Sequence, residues 1–472
     1  MILKIIYIVL LLFLVGFYII APTNINIPVI LTLLCIVGLV LSLFFIRKEN
    51  SQSLKKQYLK HSTFVIIGLI IVNFQFPLDL ILGYDDGSDS FIWINSSAVT
   101  KSIILAVIGL VSFLLGYLFY ESHKEIKKIE IERPVSSFFL IIISVFFLVT
   151  YFLTVNPLYL VGAYGKVEMG LTAGYAVIGF NLLITATIIQ KTRNFLLLKQ
   201  IPSNFGDYLK KIGFSTIFII AIYLISVLLS GDRGPFMYFG ILILASFCFV
   251  TKKRFSLKNM LFFLFFGAFF ITLLGIVRAQ DSNYHNFSER VRLALSDDRN
   301  KVESISPQTR EMAASIRTLI ASVYNVPEKY DYVYGRFQFQ QLTYSVPFLS
   351  NLSYLIFDDT SAKYSTSSSY ITWLIQGEFP SYGDGSNCIA DFYLDFGVLG
   401  VIVGMCFFGF YMRYAELSLY SENLPSLFAH VFSLVYLCSA IYIARGMVLF
   451  EFSNVIKILI ILIINQKISR KI

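Results

Sequence analysis

The run MILKIIYIVLLLFLVGFYII (residues 1–20), followed after a short polar break by IPVILTLLCIVGLVLSLFFI (residues 27–46), decides the fold. Each run is apolar over the roughly 17 to 25 residues that a helix needs to cross a bilayer. The first lacks a small-residue cleavage site and is followed at once by the second, so it reads as a signal-anchor helix. The pattern repeats along the whole chain. With 57% hydrophobic and 14% charged residues over 472 positions, the composition is that of a polytopic membrane protein and excludes a globular one. Twelve spans are expected, at about 2–20, 27–46, 63–83, 102–120, 135–155, 173–190, 213–230, 235–250, 259–279, 388–412, 427–444 and 452–466. The expected fold is an all-α polytopic membrane protein: spans one to nine in 1–279, one large, partly helical outer loop in 280–387, and the last three spans in 388–472.

Charge orients these spans. Loops at 47–62, 121–134, 191–212, 251–258 and 413–426, with the tail, hold most of the basic residues, including Arg47, Lys48, Lys55, Lys56, Lys60, Lys252, Lys253, Arg254 and Lys258. Positive charge favours the cytoplasmic side, so both termini are placed inside and 280–387 outside. The net charge of +9 is thus a topology signal and does not call for nucleic acid. Cys35, Cys248, Cys388, Cys406 and Cys438 fall mostly within spans, which supports neither a disulfide framework nor a metal cluster.

Arginine and lysine divide by side. Six of twenty-three basic residues on the inner side are arginine, against nine of fourteen on the outer side: Arg233, Arg278, Arg290, Arg292, Arg299, Arg310, Arg317, Arg336 and Arg445. Guanidinium is planar and bidentate toward phosphate, so the bias suits an outer anionic ligand such as a lipid pyrophosphate. The other reading is ion pairing with the loop's own carboxylates, since 280–387 carries twelve acidic residues against nine basic ones. Arg233, Arg278 and Arg445 stand at the membrane boundary, where an unpaired charge is costly.

Ser230-Gly231-Asp232-Arg233-Gly234-Pro235 is the tightest outer turn. Its glycines permit close approach of a ligand, and Pro235 suits the first turn of the next helix, whose N-terminus favours anions. An ordinary turn, with Asp232 bonded to backbone and Arg233 reaching the interface, fits equally well. Beyond Ser306-Pro307, the residues Met312, Ile316, Leu319, Ile320 and Val323 have helical spacing, and Val326-Pro327 stops the run. A surface helix over the membrane mouth is expected, with Arg310 and Arg317 on one face. The loop tyrosines, among them Tyr330, Tyr364, Tyr370 and Tyr382, suit sugar faces or a lipid interface, and the interface is preferred for most. His285 is the single histidine outside, a candidate general base or a solvated ring. No nucleotide-binding or zinc motif is present.

Gly377-Glu378-Phe379-Pro380-Ser381-Tyr382-Gly383-Asp384-Gly385-Ser386-Asn387 leads into Ala390-Asp391-Phe392-Tyr393-Leu394-Asp395-Phe396-Gly397-Val398-Leu399-Gly400, with Gly409 beyond. A glycine-rich loop, an acidic position, an aromatic and a Phe-Gly-x-x-Gly helix start in this order resemble the Wzy-type O-antigen polymerases. The Ser-Gly-Asp-Arg-Gly turn is similar to the small-x-Arg-Gly turn of the same proteins.

That resemblance implies a GT-C-like architecture and a metal-independent glycosyltransferase without cofactor. The growing glycan would pass from undecaprenyl pyrophosphate to a new lipid-linked repeat unit, outside the bacterial cytoplasmic (inner) membrane. Arg233, Arg278, Arg310, Arg317 and Arg445 are the candidate pyrophosphate ligands, and Asp232, His285 and Asp391 the candidates to orient or deprotonate the acceptor. Expected partners are lipid-linked oligosaccharides, membrane lipids, a chain-length regulator and a flippase. The rivals are a flippase or other transporter, for which Asp79, Glu451 and Lys457 would line a path, and an O-antigen ligase.

Overall fold

The computed structural model describes residues 2–49, 51–120, 133–160, 169–230, 232, 234–263, 267, 304–346, 349–357, 361–421 and 423–470. Every regular element among them is helical. The helices of more than one turn that precede the loop are α1 (Ile2–Ile19), α2 (Ile27–Ile46), α3 (His61–Leu82), α4 (Ser96–Phe119), α5 (Phe138–Thr154), α6 (Leu171–Leu197), α7 (Phe205–Ile212), α8 (Phe214–Ser230) and α9 (Gly234–Thr251). The loop contributes α10 (Ile316–Asn325), α11 (Arg336–Tyr344) and α12 (Ser367–Gln376), and the chain closes with α13 (Cys388–Leu419), α14 (Leu427–Ile443) and α15 (Phe450–Ser469).

Eight of these, α1, α2, α3, α4, α6, α9, α13 and α15, are long and apolar enough to cross a membrane, which makes the chain a polytopic membrane protein. The seventh expected span is α8, joined to the amphipathic α7 by a bend of 95° at Gly213, whose φ of +94° a side chain rarely adopts. The fifth and eleventh are the 17-residue apolar helices α5 and α14. The ninth lies largely outside the described residues.

α4 and α13 form the centre. Their backbones touch at two glycines: a Cβ on Gly116 would overlap the Cys406 carbonyl, and one on Gly409 the Phe113 carbonyl. Lipid supplies no hydrophobic drive between helices, so close approach through small residues is what holds such a pair. Lipid-facing helices keep most of their apolar surface outward, as Ile2, Leu12 and Phe13 do on α1.

The short loops gather at one end. Tyr58 N–H donates to the Phe255 carbonyl (3.1 Å), Arg254 to the Gln52 carbonyl (3.2 Å), Lys252 to the Ser421 carbonyl (2.7 Å) and Lys253 to the Ser203 carbonyl (2.9 Å). The loops grouped together by charge are therefore together in space. A buried network closes this basic end: Glu416 accepts from Ser62 N–H at 2.6 Å and from the Tyr117 hydroxyl, while Arg413 holds Glu49 through two bonds of 2.7 and 3.1 Å.

The loop of 304–387 packs on the opposite end. Its first helical stretch differs from the single surface helix expected. A turn at Arg310–Ala313 is separate from α10, and α10 is a buried plug against α3, α4, α12 and α13, with Ile316, Leu319 and Ile320 all enclosed. α13 also begins earlier than its Phe-Gly-x-x-Gly motif. Asn387 caps it by accepting from Ile389 N–H at 2.9 Å, and the motif is an internal break, with Gly397 at φ +63° and ψ −148°. Two turns of α13 before that break belong to the loop assembly. A side chain at Gly397 would strike the Tyr332 ring, so the break admits glycine on two grounds.

Candidate functional site

Two polar residues one turn apart on α3 seat the loop. Both carboxylate oxygens of Asp79 accept, one from the Ser304 hydroxyl and one from Ile305 N–H, each at 2.7 Å. Gln75 donates to the Ser306 carbonyl at 2.8 Å and accepts from the Thr309 hydroxyl at 2.6 Å. Asp79 is thus spent on anchoring rather than left facing a transport path. This clasp places the Arg310–Ala313 turn directly over the end of α3.

The arginines there fall into two kinds. Arg317 on α10 bonds Asp384 at 3.0 Å, with side chains only 7% and 1% exposed, and its guanidinium lies 3.8 Å over the Phe91 ring. Asp384 is held further by Gln376 at 2.6 Å, and its own N–H donates to the Thr372 hydroxyl at 3.0 Å. That pair locks the glycine-rich loop onto α10. Arg310 and Arg445 are held loosely instead: Arg310 meets Asp89 at 4.0 Å, Arg445 meets Glu311 at 3.9 Å, and both arginine side chains are 38% exposed. Since Glu311 adjoins Arg310 in sequence, the two guanidinium groups flank one short turn. Ion pairs this long and wet contribute little, so an anionic ligand can replace the carboxylates at small cost.

Asp391 is fully buried on the first turns of α13. Gln338 donates to it at 2.9 Å, Gln341 at 3.0 Å, and the Ser367 hydroxyl also reaches it. Gln341 in turn accepts from Leu449 N–H at 3.1 Å, tying the carboxylate to the segment that carries Arg445. Asp395, one turn along, accepts from Phe337 and Gln338 N–H at 3.2 and 3.0 Å and so satisfies the free N-terminus of α11. In this arrangement Asp391 positions its neighbours and does not face an open cavity. Asp395, Gln338 and Gln341 were missed in the sequence, although four-residue spacing of two aspartates in a span is itself a signal of one shared polar face.

Asp232 accepts from Gly234 N–H at 3.1 Å and thereby bonds the first turn of α9, as the ordinary-turn reading has it. Arg233, Arg278 and His285 lie outside the described residues. Among the described residues no group of acidic, histidine or cysteine side chains has the geometry of a metal site. Arg336, one of the nine outer arginines but not among the candidate ligands, is almost buried, with its guanidinium 4.4 Å over Tyr364 and 4.9 Å over Phe357.

The family model described as O-antigen polysaccharide polymerase Wzy matches residues 3–470. The chain belongs to this family. The match spans the bundle and the loop alike, so the polymerase assignment covers the whole architecture described above and makes the chain a glycosyltransferase-type polymerase of O-antigen repeat units. Compared with curated proteins and with solved structures, the chain has no match.

Proposed function

We propose that this polymerase joins lipid-linked oligosaccharide repeat units on the outer face of the cytoplasmic membrane, with the growing glycan donated from undecaprenyl pyrophosphate. The observation that carries the reading is the contrast between the sealed Arg317–Asp384 pair and the loose Arg310 and Arg445 pairs beside it. A hydroxyl of the incoming unit attacks the anomeric carbon of the donor glycan. The bond from that carbon to pyrophosphate breaks, the electron pair leaves with undecaprenyl pyrophosphate, and the hydroxyl proton passes to a base. Negative charge develops on the departing oxygen, and preformed guanidinium groups suit its stabilisation.

The basic loops at the opposite end support an outer placement for the loop and cytoplasmic termini. Twelve spans in a GT-C-like arrangement belong to the same reading, as do Arg233 and Arg278 as further pyrophosphate ligands and Asp232, His285, Arg317 and Asp391 in supporting or catalytic parts. Cells lacking the gene should display single repeats in place of a glycan ladder, and the wild-type gene should restore the ladder while Arg445→Ala, at unchanged abundance, should not. Complete loss of surface glycan in the deletion would identify a flippase or ligase instead.

A further inference from the structure

Beyond the arginines, α12 carries a second constellation. Tyr364 stacks on Tyr370 (centroids 5.2 Å, interplanar 21°), Tyr370 on Trp373 (5.5 Å, 29°), and Tyr330 leans against Trp373 at 4.9 Å. Only Tyr370 is sealed; Tyr330 is 41% exposed, and Tyr364 and Trp373 are partly open. Polar groups rim this wall. The Trp373 indole N–H donates to Glu378 at 2.9 Å, Lys363 lies 4.3 Å over the Trp373 ring, the Arg336 guanidinium lies 4.4 Å over Tyr364, and Asp331 is close enough to act electrostatically on Tyr370.

We propose that this aromatic wall is a saccharide-binding subsite that holds pyranose rings of the glycan being extended; this rests on the polymerase reading above. Aromatic faces carry a partial negative charge that attracts the C–H face of a sugar ring, and flanking carboxylates accept from paired hydroxyls. Lys363 lies over the Trp373 and Tyr364 rings, and a sugar ring would displace it. The alternative occupant is an anionic lipid surface, and the titration below separates the two. The wall is continuous with the candidate site, because the same ten-residue helix presents Ser367 to Asp391 at one end and Trp373 to the wall near the other. Binding energy gained on rings remote from the reacting bond orients the glycan end at the chemistry.

The test is calorimetric titration of the full chain in nanodiscs with lipid-free surface polysaccharide, released by mild acid from the producing cells. Wild-type protein should bind saturably, and Trp373→Ala and Asp331→Asn should each weaken binding about tenfold, with shorter glycan ladders at unchanged abundance. Lys363→Ala should bind at least as well as wild type. Absent binding by the wild type, or equal binding by Trp373→Ala, overturns the proposal. A Trp373 emission shift on raising the phosphatidylglycerol content of the nanodisc, with none on adding polysaccharide, assigns the wall to lipid and also overturns it. A normal ladder from the gene deletion would instead remove the polymerase reading, independently of the titration.

Discussion

Arg317 and Arg445 carry the same charge at the same end of the bundle, yet their truncation should have opposite signatures. Removing the Arg317 side chain leaves Asp384, 1% exposed, as a buried carboxylate with no cation. Breaking a buried pair from one side costs about 3–5 kcal/mol, and loss of the contact with Phe91 adds roughly 0.5–2 kcal/mol. Against a typical total of about 5–15 kcal/mol, that is enough to deplete the protein. At Arg445 the pair is 3.9 Å long and more than a third open to solvent, a class contributing about 0–1 kcal/mol, so Arg445→Ala should accumulate normally.

The assay is membrane abundance by immunoblot together with glycan ladders from the same cells. Arg317→Ala and Asp384→Ala should lose both protein and ladder, whereas Arg445→Ala and Arg310→Ala should lose ladder at normal abundance. The double variant Arg317→Met with Asp384→Asn removes both charges and should recover abundance and, if Arg317 is structural, the ladder too. Wild-type abundance in Arg317→Ala, or depletion in Arg445→Ala, would refute the division of the arginines into sealed and available.

For topology, cysteines at Ser53, Gln200 and Ser256 in a cysteine-free background should resist an impermeant thiol reagent in intact cells, and one at the exposed Ser381 should react; the inverse pattern would turn the site inward. Gly116→Val or Gly409→Val should prevent the close approach of α4 and α13 and abolish accumulation, whereas Gly174→Val, where a Cβ meets nothing within 4 Å, should be nearly silent; normal levels of both central variants on immunoblots would contradict the packing. Burial alone would raise the Glu49 carboxyl, but hydrogen bonding and charge from Arg413, with Ser51 and Arg47, bring it below its ordinary value. Its contribution to stability is therefore whole above the ordinary carboxylate range and lost as pH falls through the lowered value. Thermal melts of purified protein should show a smaller loss of stability for Glu49→Gln than for wild type as pH falls from about 5 to about 3, below the ordinary carboxylate value; equal slopes would remove Glu49 from the network.

Hydropathy carried the architecture because a span must hide its backbone in a helix and present apolar side chains to lipid, and those demands leave long, unmistakable runs. The spans expected at 27–46 and 427–444 coincide with α2 and α14 almost to the residue. Lysine placement likewise grouped the loops that Tyr58, Lys252 and Lys253 join in space. What stayed illegible is pairing across distance. Nothing near Arg317 in sequence shows that Asp384 will reach it, so Arg317 and Arg445 looked alike as candidate ligands. Helical spacing correctly marked the apolar stripe of α10, but a stripe does not say how much of the other faces is covered; neighbours from α3, α12 and α13 bury Thr318 and Ser322 as well.

The Phe-Gly-x-x-Gly motif has a structural part in this chain. Its work is to break α13 at Gly397, so that one continuous segment is a central membrane helix below the break and a wall of the loop assembly above it. Asp391 and Asp395 ride on the upper piece and hold α11 and the Arg445 segment through Gln338, Gln341 and backbone N–H groups. The upper piece is thereby bonded to both α11 and the arginine segment. A frame of this kind holds Arg310 and Arg445 in long, open pairs with Asp89 and Glu311, the arrangement that the proposed stabilisation of a departing pyrophosphate calls for. Gly397→Ala should then depress polymerisation even where the protein accumulates, since it disturbs the angle of the upper piece and the Tyr332 contact; a full-length ladder at normal abundance in that variant would separate the break from the site.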